Sequence, residues 1–150
     1  MITRSLACAL AALMAGQVPG AAQTPDTRAK QPDLSGSWVF KSWTHDGCDF
    51  GGNLHLGPTS EEGSYACELV ANQVCPSVTW RVRQSCTARQ SNGQLVINSQ
   101  IEEFLEGEPS PNYWPDNFIL TIRSREHMKG SLISHGVHAS EFRRDAGGIS

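Results

Sequence analysis

Leu34-Ser35-Gly36-Ser37-Trp38-Val39-Phe40 is the first stretch of the chain composed to be buried. A flexible glycine precedes a large indole, and the indole enters an alternating run that reads as the opening strand of a β domain. Over residues 37–44, Trp38 and Phe40 fall on one face, with Val39, Lys41 and Trp43 on the other. Near the other end of the chain, Glu141-Phe142-Arg143-Arg144 supplies two adjacent cations. If the last strand closes beside the first, Arg143 or Arg144 lies over the face of Trp38, an arrangement worth roughly 0.5–2 kcal/mol.

Working outward, His45-Asp46-Gly47 is a turn signal, and a second strand follows over 50–56 with Leu54 and Leu56 alternating with His55. Residues 57–63 form a long polar turn. Residues 64–74 suit either a helical face or a strand, and register tips the balance to strand. A two-residue turn at Pro76-Ser77 sets Cys75 opposite Val78, Ala71 opposite Val82, Leu69 opposite Gln84 and Cys67 opposite Cys86. Trp80, Val82, Gln84 and Cys86 then share one face while Arg81 and Arg83 point away. Ser91-Asn92-Gly93 signals a hairpin into a strand over 94–104 that carries Leu95 and Ile97. The pattern breaks over 102–116, where acidic residues surround three prolines, Tyr113 and Trp114, so a long acidic loop is expected there. Residues 116–125 form a strand with Phe118, Leu120 and Ile122 on one face. Turns at 124–127 and 135–136 lead into the last two strands.

The count is about eight short strands joined by tight turns, with no secure helix. The expected fold is therefore all-β: an antiparallel up-and-down barrel of about eight strands, disulfide-bonded. The barrel domain spans 34–145 and a tail follows over 146–150. Trp38, Phe40, Leu54, Leu56, Leu95, Ile97, Phe118, Leu120 and Ile122 line its interior or fill it. Tyr113 and Trp114 sit at one mouth as a lid. Trp38 with Arg143 or Arg144 closes the barrel.

The first 22 residues have one early charge, an apolar centre and small residues before Gln23, the layout of a secretory signal peptide. The apolar run is too short and too broken by Gly16 and Pro19 to span a membrane. Residues 23–33 read as a flexible, solvated tether. Removing the leader takes Cys8 and leaves Cys48, Cys67, Cys75 and Cys86, an even set best read as two disulfides of an exported protein. Four cysteines allow three pairings; the register favours Cys67–Cys86 with Cys48–Cys75. The expected location is periplasmic or secreted, in a bacterial host, and the expected state is a monomer.

The formal charge of −3 carries no basic stripe, so no nucleic-acid partner is expected. No nucleophile elbow, phosphate loop or zinc-protease motif is present, and no catalytic residue is assigned. Glu61-Glu62 and Glu102-Glu103 read as solvated charge. His127, His135 and His138 fall near turns and could gather at one rim, but the expectation is surface histidines, with no metal and no cofactor.

Gly36-Ser37-Trp38 with the late Arg143/Arg144 resembles the calycin barrels, the lipocalins and avidins among them. More narrowly, Leu34-Ser35-Gly36-Ser37-Trp38-Val39, Cys48-Asp49 and Val78-Thr79-Trp80-Arg81 resemble the small exported bacterial metalloprotease inhibitors of the Inh type. That narrower likeness covers about the first half of the domain. It implies an eight-stranded barrel, a single disulfide from the end of strand one to a later strand, and an N-terminal segment that enters a protease cleft. Two extra cysteines, the 102–116 loop and the proline-rich segment at 23–32 depart from that family.

These readings leave one expected class, an exported non-catalytic binding barrel, with three partners. The first is a small apolar or amphipathic ligand, held in the barrel or at its mouth. The second is an exported protease, and the third an envelope partner met through the 102–116 loop. Whether the interior is filled or hollow separates the first from the others.

Overall fold

The computed structural model describes Gly20 and residues 30–147. The expected signal peptide, most of the tether and the end of the tail (1–19, 21–29 and 148–150) lie outside the described residues. Eight strands follow one another: β1 (Gly36–Trp43), β2 (Asp49–Pro58), β3 (Ser64–Val74), β4 (Thr79–Ser91), β5 (Gln94–Glu106), β6 (Asn117–Ser124), β7 (His127–Ile133) and β8 (Val137–Arg144). Each pairs antiparallel with the next, and β8 pairs back on β1, so the barrel is closed. Closure satisfies the backbone groups that an open sheet would leave at its edges. The β4–β5 connection is a tight turn because Asn92 and Gly93 both take positive φ, 50° and 76°, the pair that a twisted two-residue hairpin needs.

The ambiguous stretch 64–74 is a strand. Its partners are as the alternation requires, with Ala71 opposite Val82, Leu69 opposite Gln84 and Cys67 opposite Cys86. The turn is closed by the Cys75 amide, which donates to the Val78 carbonyl at 2.9 Å. Two disulfides form, Cys67–Cys86 between neighbouring strands and Cys48–Cys75 between the β1–β2 and β3–β4 connections.

The acidic loop is shorter than the sequence pattern suggests. β5 continues to Glu106, so residues 102–106 are strand and only 107–116 is loop. Two register shifts against β4 explain the difference: Ile101 pairs Gln84 while Glu103 pairs Arg83, and Phe104 pairs Val82 while Glu106 pairs Arg81. Each shift inserts one extra residue, a β-bulge, and breaks the period-two pattern that marks a strand. It also lets the adjacent Glu102 and Glu103 both face solvent, where Ser85 bonds the first at 2.5 Å and Arg83 the second at 2.6 Å.

The middle of the barrel is core. Trp38, Phe40, Leu54, Leu56, Leu95, Ile97, Phe118 and Leu120 are buried in one cluster, with Ile122 partly buried against it. The Phe40 ring lies 5.0 Å from that of Phe142 and 5.3 Å from that of Phe118, centroid to centroid. Gly52 makes room for this ring: a Cβ there would sit 3.0 Å from Phe40 Cε1 and 2.0 Å from the Val70 carbonyl oxygen.

One end is plugged. Trp38 Nε1 donates to the Leu34 carbonyl at 2.9 Å, and the Leu34 amide donates to the Tyr65 hydroxyl at 3.2 Å. That hydroxyl donates in turn to Gln90 Oε1 at 3.0 Å, and Gln90 Nε2 holds the Pro32 carbonyl. Arg144, rather than Arg143, covers Trp38, with its Cζ 4.6 Å from the ring centroid. Alternation decides between them: Arg144 pairs with Trp38 across β1–β8 and shares its inward face, while Arg143 pairs with Val39 on the outer face and bonds Glu141. The Arg144 guanidinium also donates to the carbonyls of Ser35, Asp33 and Arg125.

Candidate functional site

The opposite end, where the β1–β2, β3–β4, β5–β6 and β7–β8 connections gather, is built differently. β5 and β6 pair over only four positions, from Gln94 opposite Thr121 to Ile97 opposite Phe118. Beyond Ile97 the two strands part, and the 107–116 loop returns across the gap. Ser99 replaces the missing ladder: its amide donates to Asn117 Oδ1 at 2.8 Å and its hydroxyl to the Asp116 carbonyl at 2.7 Å.

The interior turns polar here. Of the buried polar side chains among the described residues, Ser42, Gln84, Ser99, Asp116 and Ser140 belong to this half of the barrel, and only Gln90 serves the plugged end. Ser42 and Ser140 share a 2.5 Å hydrogen bond across β1–β8. Gln84 and Asp116 bond reciprocally: Gln84 Nε2 donates to Asp116 Oδ2 at 2.5 Å, and the Asp116 amide donates to Gln84 Oε1 at 3.0 Å. The Tyr113 hydroxyl donates to the same Oδ2 at 3.0 Å.

Asp116 and Tyr113 line a pocket of about 120 Å³. Phe50 and Leu132 give it apolar surface, Trp80, Tyr113 and Trp114 give it aromatic surface, and Asp46, Asp116, His135 and His138 bring titratable groups. Tyr113 is buried and packs edge-on against Trp80 and Phe104, at 6.1 and 5.6 Å between centroids. Trp114 is 53% exposed and lies against His135, with ring centroids 4.5 Å apart. The loop is anchored by Trp80 Nε1, which donates to the Glu108 carbonyl at 3.0 Å, and by a contact between His135 Nε2 and the Asn112 carbonyl.

Burial sets the electrostatics. It raises the Asp116 carboxyl from 3.8 to about 6, against the opposing hydrogen bonds from Gln84 and Tyr113. It also drives Tyr113 upward, and the neighbouring Asp116 adds to that shift. Burial pushes Asp46 upward as well, but bonds from Thr44 Oγ1 (2.7 Å) and the Cys48 amide (3.0 Å) outweigh it and hold that carboxyl below its ordinary value.

Of the residues expected to carry function, Tyr113 and Trp114 lie at this mouth, whereas the nine lining candidates from Trp38 to Ile122 form or border the core behind it. The three histidines do not gather. His127 opens β7 at the plugged end and bonds Glu141 at 2.8 Å, because strand β7 carries it a full barrel length from His135. His45 takes its place, 5.8 Å from His138 between ring centroids. Among the described residues, no three His, Cys, Asp or Glu side chains are grouped to hold a metal ion, and no helix is long and apolar enough to cross a membrane.

Asp116 and Gln84 had no motif to mark them. The available signal was Gln84 itself, a polar residue on the face that also carries Val82 and Cys86, and such a residue must find a buried partner.

No family model matches the chain, and no curated protein matches it. Solved structures do match in fold. A redesigned β-barrel superimposes with a TM-score of 0.56 at 14% identity, over 75% of this chain and 91% of that one. A de novo designed fluorescence-activating β-barrel gives 0.51 at 18%, over 74% and 93%. The redesigned barrel mFAP1, bound to DFHBI, gives 0.53 at 18%, over 75% and 94%. At these identities the likeness is one of fold.

Proposed function

We propose that this protein is an exported, non-catalytic binding barrel of the calycin type that takes a small amphipathic ligand at its mouth. The observation that carries the reading is the pocket beneath Tyr113 and Trp114, placed where the barrel interior changes from apolar to polar. Pockets for drug-sized molecules occupy about 300–1,000 Å³, whereas a cavity of about 150 Å³ holds benzene. At about 120 Å³ the pocket suits one ring or a compact alkyl group, with the rest of the ligand in solvent. The packed core behind it argues for the mouth over the barrel centre as the seat. A larger hollow of about 870 Å³ crosses the outer wall of β3–β5, but exposed short side chains such as Ala66, Thr87, Ser91 and Asn98 give it no enclosure. The two disulfides support export, and a fold neighbour bound to DFHBI supports small-molecule binding as a use of this architecture.

The test is a screen of single-ring compounds at millimolar concentration, read by NMR shifts of the tryptophan indole N–H groups. Shifts at Trp80 and Trp114, lost in Trp114→Ala, are expected. Hits that move only residues of the outer β3–β5 wall, or no hits, would count against the mouth.

A second reading is protease inhibition. Cys48–Cys75 supports it, since it ties the end of β1 to the end of β3 as the resemblance to Inh-type inhibitors implies. In that reading residues 23–32 enter the protease cleft. Deleting them without loss of inhibition of a co-exported metalloprotease would sink it.

A further inference from the structure

We infer that the mouth pocket selects a small organic cation, a compact amine whose ammonium group lies against Asp116 between aromatic side chains. The inference rests on the mouth being the ligand site, and it adds the ligand's charge and chemical class.

Charge around the pocket is the first observation that favours a cation. Its lining includes two carboxylates, Asp46 and Asp116, and no lysine or arginine. The second is the state of Asp116. The residue is 1% exposed, and its Oδ2 accepts from two neutral donors, Gln84 Nε2 and the Tyr113 hydroxyl, with the neutral Ser134 side chain also favouring the charged carboxyl. A buried carboxylate without a cation is costly to keep ionised. An ammonium ion arriving through the pocket supplies that missing charge. The third is the wall: Trp80, Tyr113 and Trp114 offer the ring faces that attract cations.

The other titratable groups at the pocket are His135 and His138 on the β7–β8 side, together with Tyr113, whose shift keeps it protonated. Asp46, on the β1–β2 side, accepts bonds from Thr44, the Cys48 amide and Gln73 Nε2, and stays charged. With two carboxylates and no lysine or arginine in its lining, the pocket presents negative charge and aromatic surface. The pocket's size confines the buried part of the amine to about one ring.

The experiment compares three ligands of one shape on the whole mature protein at pH 8: benzylamine, neutral benzyl alcohol and anionic benzoate. Affinity is measured by calorimetry and the site by tryptophan NMR shifts. Benzylamine is expected to bind at least tenfold more tightly than benzyl alcohol, with benzoate weakest. Asp116→Asn should bring benzylamine to within twofold of benzyl alcohol, and a benzylamine preference that survives in this variant overturns the inference. The tryptophan indole resonances of the unliganded variant show whether its pocket is intact. If benzyl alcohol or benzoate perturbs Trp80 and Trp114 at affinities equal to or above benzylamine, the cation inference falls and the mouth reading stands. If none of the three perturbs those tryptophans, both fall.

Discussion

Replacing Asp116 with asparagine should make the protein more stable at neutral pH, in a manner that grows as pH rises. The side chain is almost completely buried, and burial lifts its carboxyl from 3.8 to about 6. Between those values the folded state keeps a proton that the unfolded chain releases, so stability falls as pH rises. The contribution is fully present below about pH 4 and lost as pH passes through about 6. A gap of about two pH units, at about 1.36 kcal/mol each, amounts to about 3 kcal/mol. Asparagine keeps an oxygen to accept from Gln84 and Tyr113 and has no charge to bury. Urea denaturation of both proteins at pH 3, 4.5, 6 and 7.5 gives the difference in unfolding free energy, in which titrations common to both cancel. That difference should shift in favour of the variant by about 3 kcal/mol between the most acid and most alkaline points. A flat difference, or one that favours wild type more as pH rises, would refute the burial argument.

Other expectations follow from the same geometry. Arg144→Met should cost about 1–3 kcal/mol, through the lost face contact with Trp38 and three unpartnered carbonyls, whereas Arg143→Met should stay within about 0.5 kcal/mol; equal effects in denaturant melts would contradict the closure described. Gly52→Ala forces a Cβ onto the Val70 carbonyl and should cost at least about 1–3 kcal/mol, while Gly57→Ala, whose Cβ would meet the Ala66 carbonyl oxygen at 3.5 Å, should be nearly neutral by thermal melting. The double substitution Cys48→Ser, Cys75→Ser opens a loop of sequence separation 27 and should lower stability by about 3–4 kcal/mol on the chain-entropy account. A loss below about 1 kcal/mol in the same denaturant assay would show that the loops at the mouth hold one another without the bond.

The barrel was legible because strand alternation is a local signal that survives closure. From Trp38 to Arg144 most inward positions are apolar and most outward ones polar, and one turn at Pro76-Ser77 is enough to set the whole β3–β4 register and the Cys67–Cys86 pair. The signal failed at the bulges of β5, where an inserted residue shifts the period and made residues 102–106 read as loop. The mouth was half legible. Tyr113 and Trp114 stood out as aromatics among prolines, but Asp116 looked like one more acidic residue of an exposed segment.

Composition and alternation alone determined an all-β meander that closes on Trp38, because the side chains of a strand must go in or out by turns whatever lies beyond them. Tertiary structure decided what no local pattern encodes. It chose Arg144 over Arg143 as the cover of Trp38, sent His127 to the far end from His135, and parted β5 from β6 so that the loop could drive Asp116 inward. A carboxylate takes its chemistry from its surroundings, and those of Asp116 are assembled from residues 32 positions away at Gln84 and 3 away at Tyr113.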